Sequence, residues 1–331
     1  MSEVRGTSDA PFFIVGSGRS GSTLLRVMLS SHPRIVIPPE TGYILPLVER
    51  FPLEALLTES EIRSAVDIMV THYRWPDMAM DRSTLEGRVA QLGSPKLRDI
   101  LDVVYAYHAA REGKPRWGDK TPPYVRILPQ LSTLYPEARF IHLIRDGRDV
   151  VKSFHSAGWY GPRLPASTKE WKEAIRCAVS YRSSALAPRI LEVRYENLVL
   201  HTASTLRAVC TFLAEEFDPA MLRHESGLEE KIPERERHAH RKLARGPEPS
   251  DVQRWKSEMS LREIVVAEAH LSKELLEVGY EPRFKGPIWE ALFLLVRAYC
   301  ATLSFVARLA RAVVSPFRSL RNSKLSLPPS S

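Results

Sequence analysis

Short unbroken apolar runs, separated by stretches of helical periodicity, set the pattern of this chain. Residues 11–15, Pro-Phe-Phe-Ile-Val, run into Gly16-Ser17-Gly18, the punctuation of a buried parallel strand that turns sharply. Leu24, Leu25, Val27, Met28 and Leu29 then recur at helical spacing. A second short run at 34–38 leads into Pro39-Glu40-Thr41-Gly42, and apolar periodicity resumes at Tyr43. Residues 51–112 are charged and helix-periodic, broken at Trp75-Pro76-Asp77 and with a longer helix over 97–107, so they predict a helical insertion. An extended segment at 116–121 stops at Pro122-Pro123, with a helix expected from Tyr124. The pattern then predicts a strand over 139–144, a long helix over 171–186, a strand at 190–193 and an amphipathic helix over 261–278 that ends at Gly279.

Strands alternating with helices imply an α/β fold, with a P-loop-type parallel sheet flanked by helices, over residues 11–282. Residues 226–256 are polar and proline-bearing without periodicity, which fits a lid or substrate clamp and equally a disordered loop. Residues 283–331 form a separate basic appendage: the apolar stretch 288–314 places Glu290, Arg297, Ser304, Arg308 and Arg311 on one narrow helical face. That amphipathic pattern predicts a helix lying in a membrane surface, the alternative being a helix docked on the domain or on a second copy of the chain. The final residues, 322–331, read as disordered.

Composition changes this picture little. A chain of 331 residues has room for one large α/β domain with insertions. Cys177, Cys210 and Cys300 are widely spaced with no CxxC pair, which points to neither a disulfide framework nor a zinc site and fits a reducing compartment. The polar opening residues run straight into the first strand, so no signal peptide is expected and cytoplasmic residence, peripheral at the membrane, is the expectation. Charge is informative by its location: residues 283–331 carry eight basic residues against Glu290 alone, a net +7 of the chain's +8. The body is nearly neutral and shows no nucleic-acid-binding motif, so no nucleic-acid partner is expected.

The candidate chemistry collects around the first turn. Gly16 and Gly21 stand at the spacing of a triphosphatase P-loop, but Ser22 occupies the position of its lysine, while Arg19 and Ser20 lie inside the loop. Ser22 and Thr23 fall in the first helical turn, where free backbone N–H groups and the helix dipole attract an anion. A plain Gly/Ser-rich turn is the bland alternative. Glu40, Lys120, Arg145 and Tyr195 each follow a predicted strand, the edge at which parallel α/β sheets bind ligands. Glu40 is as readily a solvated or capping acid, and Lys120 a surface lysine. Arg145 leaves its strand and Ser153 lies two turns into the next helix, so both can reach one anion; a surface pair of Arg145 with Asp149 is the alternative.

Taken together, four separated pieces resemble one family. Residues 13–24, Phe-Ile-Val-Gly-Ser-Gly-Arg-Ser-Gly-Ser-Thr-Leu, resemble the 5′-phosphosulfate loop of sulfotransferases that use 3′-phosphoadenosine-5′-phosphosulfate (PAPS), and Ile144-Arg145-Asp146-Gly147-Arg148 through Ser153 resembles their 3′-phosphate site. Glu40-Thr41, Lys120-Thr121-Pro122 and Tyr195-Glu196-Asn197-Leu198 are similar to patterns of tyrosylprotein sulfotransferases and their bacterial relatives. The resemblance implies that Arg19, Ser20, Gly21, Ser22 and Thr23 hold the 5′ phosphosulfate and that Arg145 and Ser153 hold the 3′-phosphate. It further implies that Tyr195 and Arg254 close on the nucleotide, and that Glu40 is the catalytic base with Arg19 and Lys120 stabilising charge. Relatives often carry another basic residue near Ala157, so here the 237–246 loop is expected to clamp the 3′-phosphate. The implied reaction is sulfuryl transfer from PAPS to a hydroxyl of a glycan, a lipid-linked or small-molecule acceptor, or a peptide tyrosine, without a metal. A homodimer is a candidate assembly. Two other function classes compete: a P-loop kinase or triphosphatase, against which the missing lysine counts, and a non-catalytic nucleotide-binding, membrane-associated protein.

Overall fold

The computed structural model describes residues 10–158, 164–223, 232–234 and 246–322, with main chain only at 164–166, 304 and 306–322. Five strands form a parallel sheet: β1 (Phe12–Gly16), β2 (Ile35–Val36), β3 (Arg116–Lys120), β4 (Arg139–Ile144) and β5 (Ile190–Arg194), in the spatial order β2-β3-β1-β4-β5. β1 is central because it is apolar at every position, and a strand reads that way only when both sheet faces are covered. Phe13 and Val15 enter one core with the helical insertion, whereas Phe12 and Ile14 enter a second core on the opposite face. Register brings Ile14 beside Lys120 on one side and Ile141 on the other, and Gly16 beside Leu143. Strand order turns outward in both directions from β1, so the crevice beyond its carboxyl end is the fold's ligand edge.

α1 (Ser22–Ser30) links β1 to β2 on the Phe12 face. Between β2 and β3 come α2 (Ile44–Arg50), α3 (Glu59–Thr71), a 3₁₀ turn at Trp75–Met78, α4 (Arg82–Ala90) and α5 (Leu97–Glu112). Thr58 and Glu61 make a capping box at the start of α3, and α5 runs past residue 107 until Gly113 terminates it in a left-handed conformation. The Pro122-Pro123 pair yields a 3₁₀ segment, Pro122–Ile127, before α6 (Leu128–Leu134), so the α-helix expected from Tyr124 begins four residues later. α7 (Gly147–Ser156) follows β4.

α8 (Leu164–Tyr181) starts and ends earlier than the predicted 171–186. Pro165 is tolerated in a first helical turn, and the chain turns at Ser184 and again at Ala187–Arg189 before β5. α9 (Tyr195–Leu200) and α10 (Thr202–Leu213) complete the second face. The helix Leu261–Glu277, opened by a Ser260–Glu263 capping box, joins α7 and Trp171 in a third core.

The C-terminal helix, Pro287–Asn322, lies against that helix: Trp289 stacks on Phe284, Phe293 is buried, and Arg297 donates to the Ala269 carbonyl at 2.8 Å. Ile288, Leu295, Tyr299 and Phe305 are each more than half exposed along the other side. No helix among the described residues is long and apolar enough to cross a membrane. Of the expected 237–246 clamp, residues 237–245 lie outside the described residues, as do 323–331.

Candidate active site

The loop after β1 is shaped by what it touches. Gly21 sits at φ 94°, and a Cβ there would stand 2.3 Å from the Tyr195 ring, so only glycine lets α9 close over the loop. Arg19 adopts φ 63° without being glycine, which swings its guanidinium across to Ser153 on α7, Nε donating to Oγ at 3.0 Å. Ser20, Ser22 and Thr23 are buried, and the first turn of α1 carries no acidic residue to offset its dipole. The arrangement is chemically suited to an anion at the start of α1.

A second cationic position lies one strand away. Arg145, at the end of β4, donates to the Arg19 carbonyl at 3.3 Å and to the Asp251 carbonyl at 3.1 Å, and its guanidinium lies 4.1 Å from the Tyr195 ring centroid. Asp149 approaches it to 3.7 Å and accepts from the Trp255 backbone N–H at 2.7 Å. Burial pushes the Asp149 carboxyl up to about 6 against the opposing pull of Arg145. Burial likewise raises the Tyr195 phenol. The neighbouring Arg148 has a different fate: Asp146, Glu268 and the Trp255 ring enclose it in the interior. Arg254 is turned toward Glu258, one turn along, and the segment reaches Arg145 through the Asp251 carbonyl instead.

On the other side of β1 the acid and the lysine meet. Lys120, only 1% exposed, forms an ion pair with Glu40 Oε1 and reaches Thr23 Oγ1 at 3.4 Å, joining the strand end to the loop helix. Glu40 Oε2 is held by Arg74 at 2.7 Å. Behind them a buried network fixes the Glu40–Thr41 turn: Thr41 Oγ1 donates to Asp119 Oδ2 at 2.8 Å, Tyr105 OH donates to the same oxygen at 2.9 Å, and Tyr124 OH lies 2.6 Å from Thr41 Oγ1. Burial raises Asp119 to about 6, with the hydrogen bonds from Thr121, Thr41 and Tyr105 opposing it.

The structure thus groups Arg19, Arg145, Ser153 and Tyr195 on one side, and Thr23, Glu40 and Lys120 on the other. Arg74 and Asp119 are absent from the sequence-derived set. Arg74 precedes the Trp75-Pro76-Asp77 break, and a basic residue at that break is the one signal that pointed to it. Asp119 is adjacent to Lys120 but faces inward, and nothing in the local pattern marks it. Among the described residues, no group of three or more His, Cys, Asp or Glu side chains is placed to hold a metal ion.

Fold and site together define a parallel α/β protein with a phosphate-type loop, a second cationic position across β1 and β4, and a carboxylate held between two cations. The chain belongs to the sulfotransferase family, whose sequence profile matches residues 11–219. It is 28% identical over 222 residues to protein-tyrosine sulfotransferase A of Caenorhabditis elegans, covering 65% of this chain and 53% of that protein. With nodulation protein NoeE of Sinorhizobium fredii it shares 26% identity over 299 residues, 81% of this chain and 65% of NoeE. The chain spans about half the length of the curated tyrosine sulfotransferases it matches. Among solved structures, the sulfotransferase domain of the Synechococcus PCC 7002 olefin synthase superposes with a TM-score of 0.53 at 27% identity, covering 78% of this chain and 93% of that domain. The sulfotransferase domain from the curacin biosynthetic pathway, at 20% identity and a TM-score of 0.56, shares the fold.

Proposed function

We propose that residues 11–282 form a PAPS-dependent sulfotransferase unit that moves a sulfuryl group to an acceptor hydroxyl. The observation that carries this reading is the contact between Lys120, Glu40 and Thr23, which places a carboxylate and a cation beside the anion-receiving turn. Two anion positions, one at loop residues 19–23 and one at Arg145 and Ser153, fit a nucleotide with separate 5′ and 3′ groups. PAPS, when bound, supplies the sulfuryl group and leaves as adenosine 3′,5′-bisphosphate. Glu40 accepts the acceptor's proton as the acceptor oxygen bonds to sulfur. The bond from sulfur to the 5′-phosphate oxygen breaks, and its electron pair stays on that phosphate. Arg19 and Lys120 stabilise the charge that builds there. Positioning and charge supply this chemistry with no metal ion. Thr41 and Asp119 hold the base in place from behind.

The acceptor class follows from Glu40 needing a removable proton: a hydroxyl of a glycan, a lipid-linked or small molecule, or a peptide tyrosine. Incubation with PAPS and a mixed hydroxyl-acceptor panel, read by mass spectrometry, tests the reading. Sulfated product is expected from the wild type, and none from Glu40→Gln, which still binds adenosine 3′,5′-bisphosphate. Full turnover by Glu40→Gln would remove Glu40 as the base.

The exposed apolar side of the C-terminal helix, with the +7 charge of residues 283–331, supports a peripheral position on an anionic membrane face of the cytoplasm. Co-flotation with vesicles containing phosphatidylserine, lost when residues 287–331 are deleted, is the expected result. Flotation unchanged by the deletion would reject it, as would a stable dimer that does not float.

A further inference from the structure

Two consecutive residues of α8 touch both halves of the nucleotide site. Glu170 Oε1 accepts a hydrogen bond from the Gly18 backbone N–H at 2.9 Å, and the Trp171 indole N–H donates to the Arg145 carbonyl at 3.0 Å. The approach is built into the loop: a Cβ on Gly18 would stand 2.7 Å from that same carboxylate oxygen and 3.1 Å from the Phe154 ring. Trp171 is fully buried, and a Cβ on Gly147 would meet its indole at 2.9 Å. Glu170 is therefore delivered by an anchored helix, and the loop has left room for it. No step of the transfer chemistry uses it.

A carboxylate on an amide of a phosphate-type loop offers what the loop's ligand offers, namely negative charge and strong acceptor oxygens. Gly18 adjoins residues 19–23, so an anion received there comes near this carboxylate, and two anions brought together in a partly dry site repel strongly. We propose that Glu170 sets the affinity of the donor loop: its carboxylate sits on the Gly18 amide beside residues 19–23 and repels the 5′ anionic end of the donor. The inference rests on the assignment of residues 19–23 to the donor's 5′ end. It predicts that charge at position 170 weakens binding of ligands that carry a 5′ anion and leaves ligands lacking one unaffected.

Titration calorimetry on the full chain separates these ligands, using adenosine 3′,5′-bisphosphate, which fills both positions, and adenosine 3′-phosphate, which reaches only Arg145 and Ser153. Glu170→Gln keeps an oxygen for the Gly18 amide at nearly the same volume and removes only the charge. It is expected to bind the bisphosphate about tenfold more tightly than wild type, with Glu170→Ala gaining at least as much and adenosine 3′-phosphate affinity unchanged in both. Thermal melts confirm that each variant is folded. Bisphosphate affinity that stays the same or falls in Glu170→Gln overturns the inference. So does an equal gain for both ligands, because relaxation of α8 rather than charge at the loop would produce it. A wild type that binds the bisphosphate no more tightly than adenosine 3′-phosphate fails differently: it refutes the loop assignment, and the inference with it.

Discussion

The two sides of β1 hold their cations by different means. On the β4 side, Arg19 rests on the Ser153 hydroxyl and Arg145 on two main-chain carbonyls and the Tyr195 ring. These partners fix a guanidinium in space, and Asp149 at 3.7 Å offsets part of the Arg145 charge. On the β3 side, Lys120 and Arg74 close on the two oxygens of Glu40, which fixes the carboxylate between them. One side holds its cations through hydroxyl, carbonyl and ring contacts, the other through a carboxylate in a set orientation. Each is backed by one buried acid, Asp149 behind Arg145 and Asp119 behind Thr41, and both acids are raised to about 6 by burial. On the proposed function, affinity for the nucleotide and competence for transfer should be separable by mutation at Arg145 and at Arg74.

The largest effect is expected at Gly21, where the two sides share a loop. Gly21→Ala drives a methyl group into the Tyr195 ring at a backbone angle that alanine rarely adopts, and bisphosphate affinity in calorimetry should fall by roughly a hundredfold or more, with a lowered melting temperature. Retained affinity would mean that α9 does not close on the loop. The division itself is tested next: Arg145→Ala should weaken bisphosphate binding by roughly thirtyfold, whereas Arg74→Ala should leave it within about twofold. With whichever acceptor the mass-spectrometric panel identifies, Arg74→Ala should lower kcat about tenfold through a misplaced Glu40, and Arg74→Lys should recover part of it. A nucleotide-binding defect in Arg74→Ala would dissolve the distinction.

The smallest effect is on pH. Asp149 titrates near 6 when folded and near 3.8 in an exposed chain, so the folded state holds the extra proton between those values. Its favourable contribution is full below about 4 and is lost as pH rises through about 6. Acidifying from pH 7 to 5 should raise the wild-type melting temperature relative to Asp149→Asn. Parallel melting curves across that range would show that burial does not raise this acid.

The grouping on the β4 side was legible because each of its two parts is contiguous in the chain. Residues 16–23 place a strand end, a glycine turn and a helix start within eight positions, and Arg145 and Ser153 lie two helical turns apart. Local geometry arranges each part, and the pairing of β1 with β4 brings the two together. The parallel α/β architecture was legible for a similar reason, since fully buried strands are continuous apolar runs. The side that holds Glu40 was read only halfway. Glu40 and Lys120 follow strands, and strand ends share one edge whatever lies between. Arg74 reaches Glu40 only because α3 packs against the α2 turn, a tertiary event that no periodicity encodes. The misplacement of α8 has a local cause, because a proline near a helix start and a serine-rich stop blur both ends. That shift mattered, since it hid Glu170 in what read as the approach to the helix. Arg254, expected at the nucleotide, pairs with Glu258 one turn along, a local i,i+4 contact that its segment's composition does not announce.

Arg19 carries one more consequence, for anyone who would improve this protein by selection. A left-handed backbone angle at a residue with a side chain costs on the order of 1 kcal/mol, a penalty that glycine at the same position would escape. Because that relief offsets the lost Ser153 hydrogen bond and the looser unfolded chain, Arg19→Gly should pass a screen for heat resistance alone nearly unpenalised. Such survivors would keep the fold and lack the guanidinium that meets Ser153. Thermal hardening of this scaffold has to be run with position 19 held fixed, or under simultaneous selection for nucleotide binding.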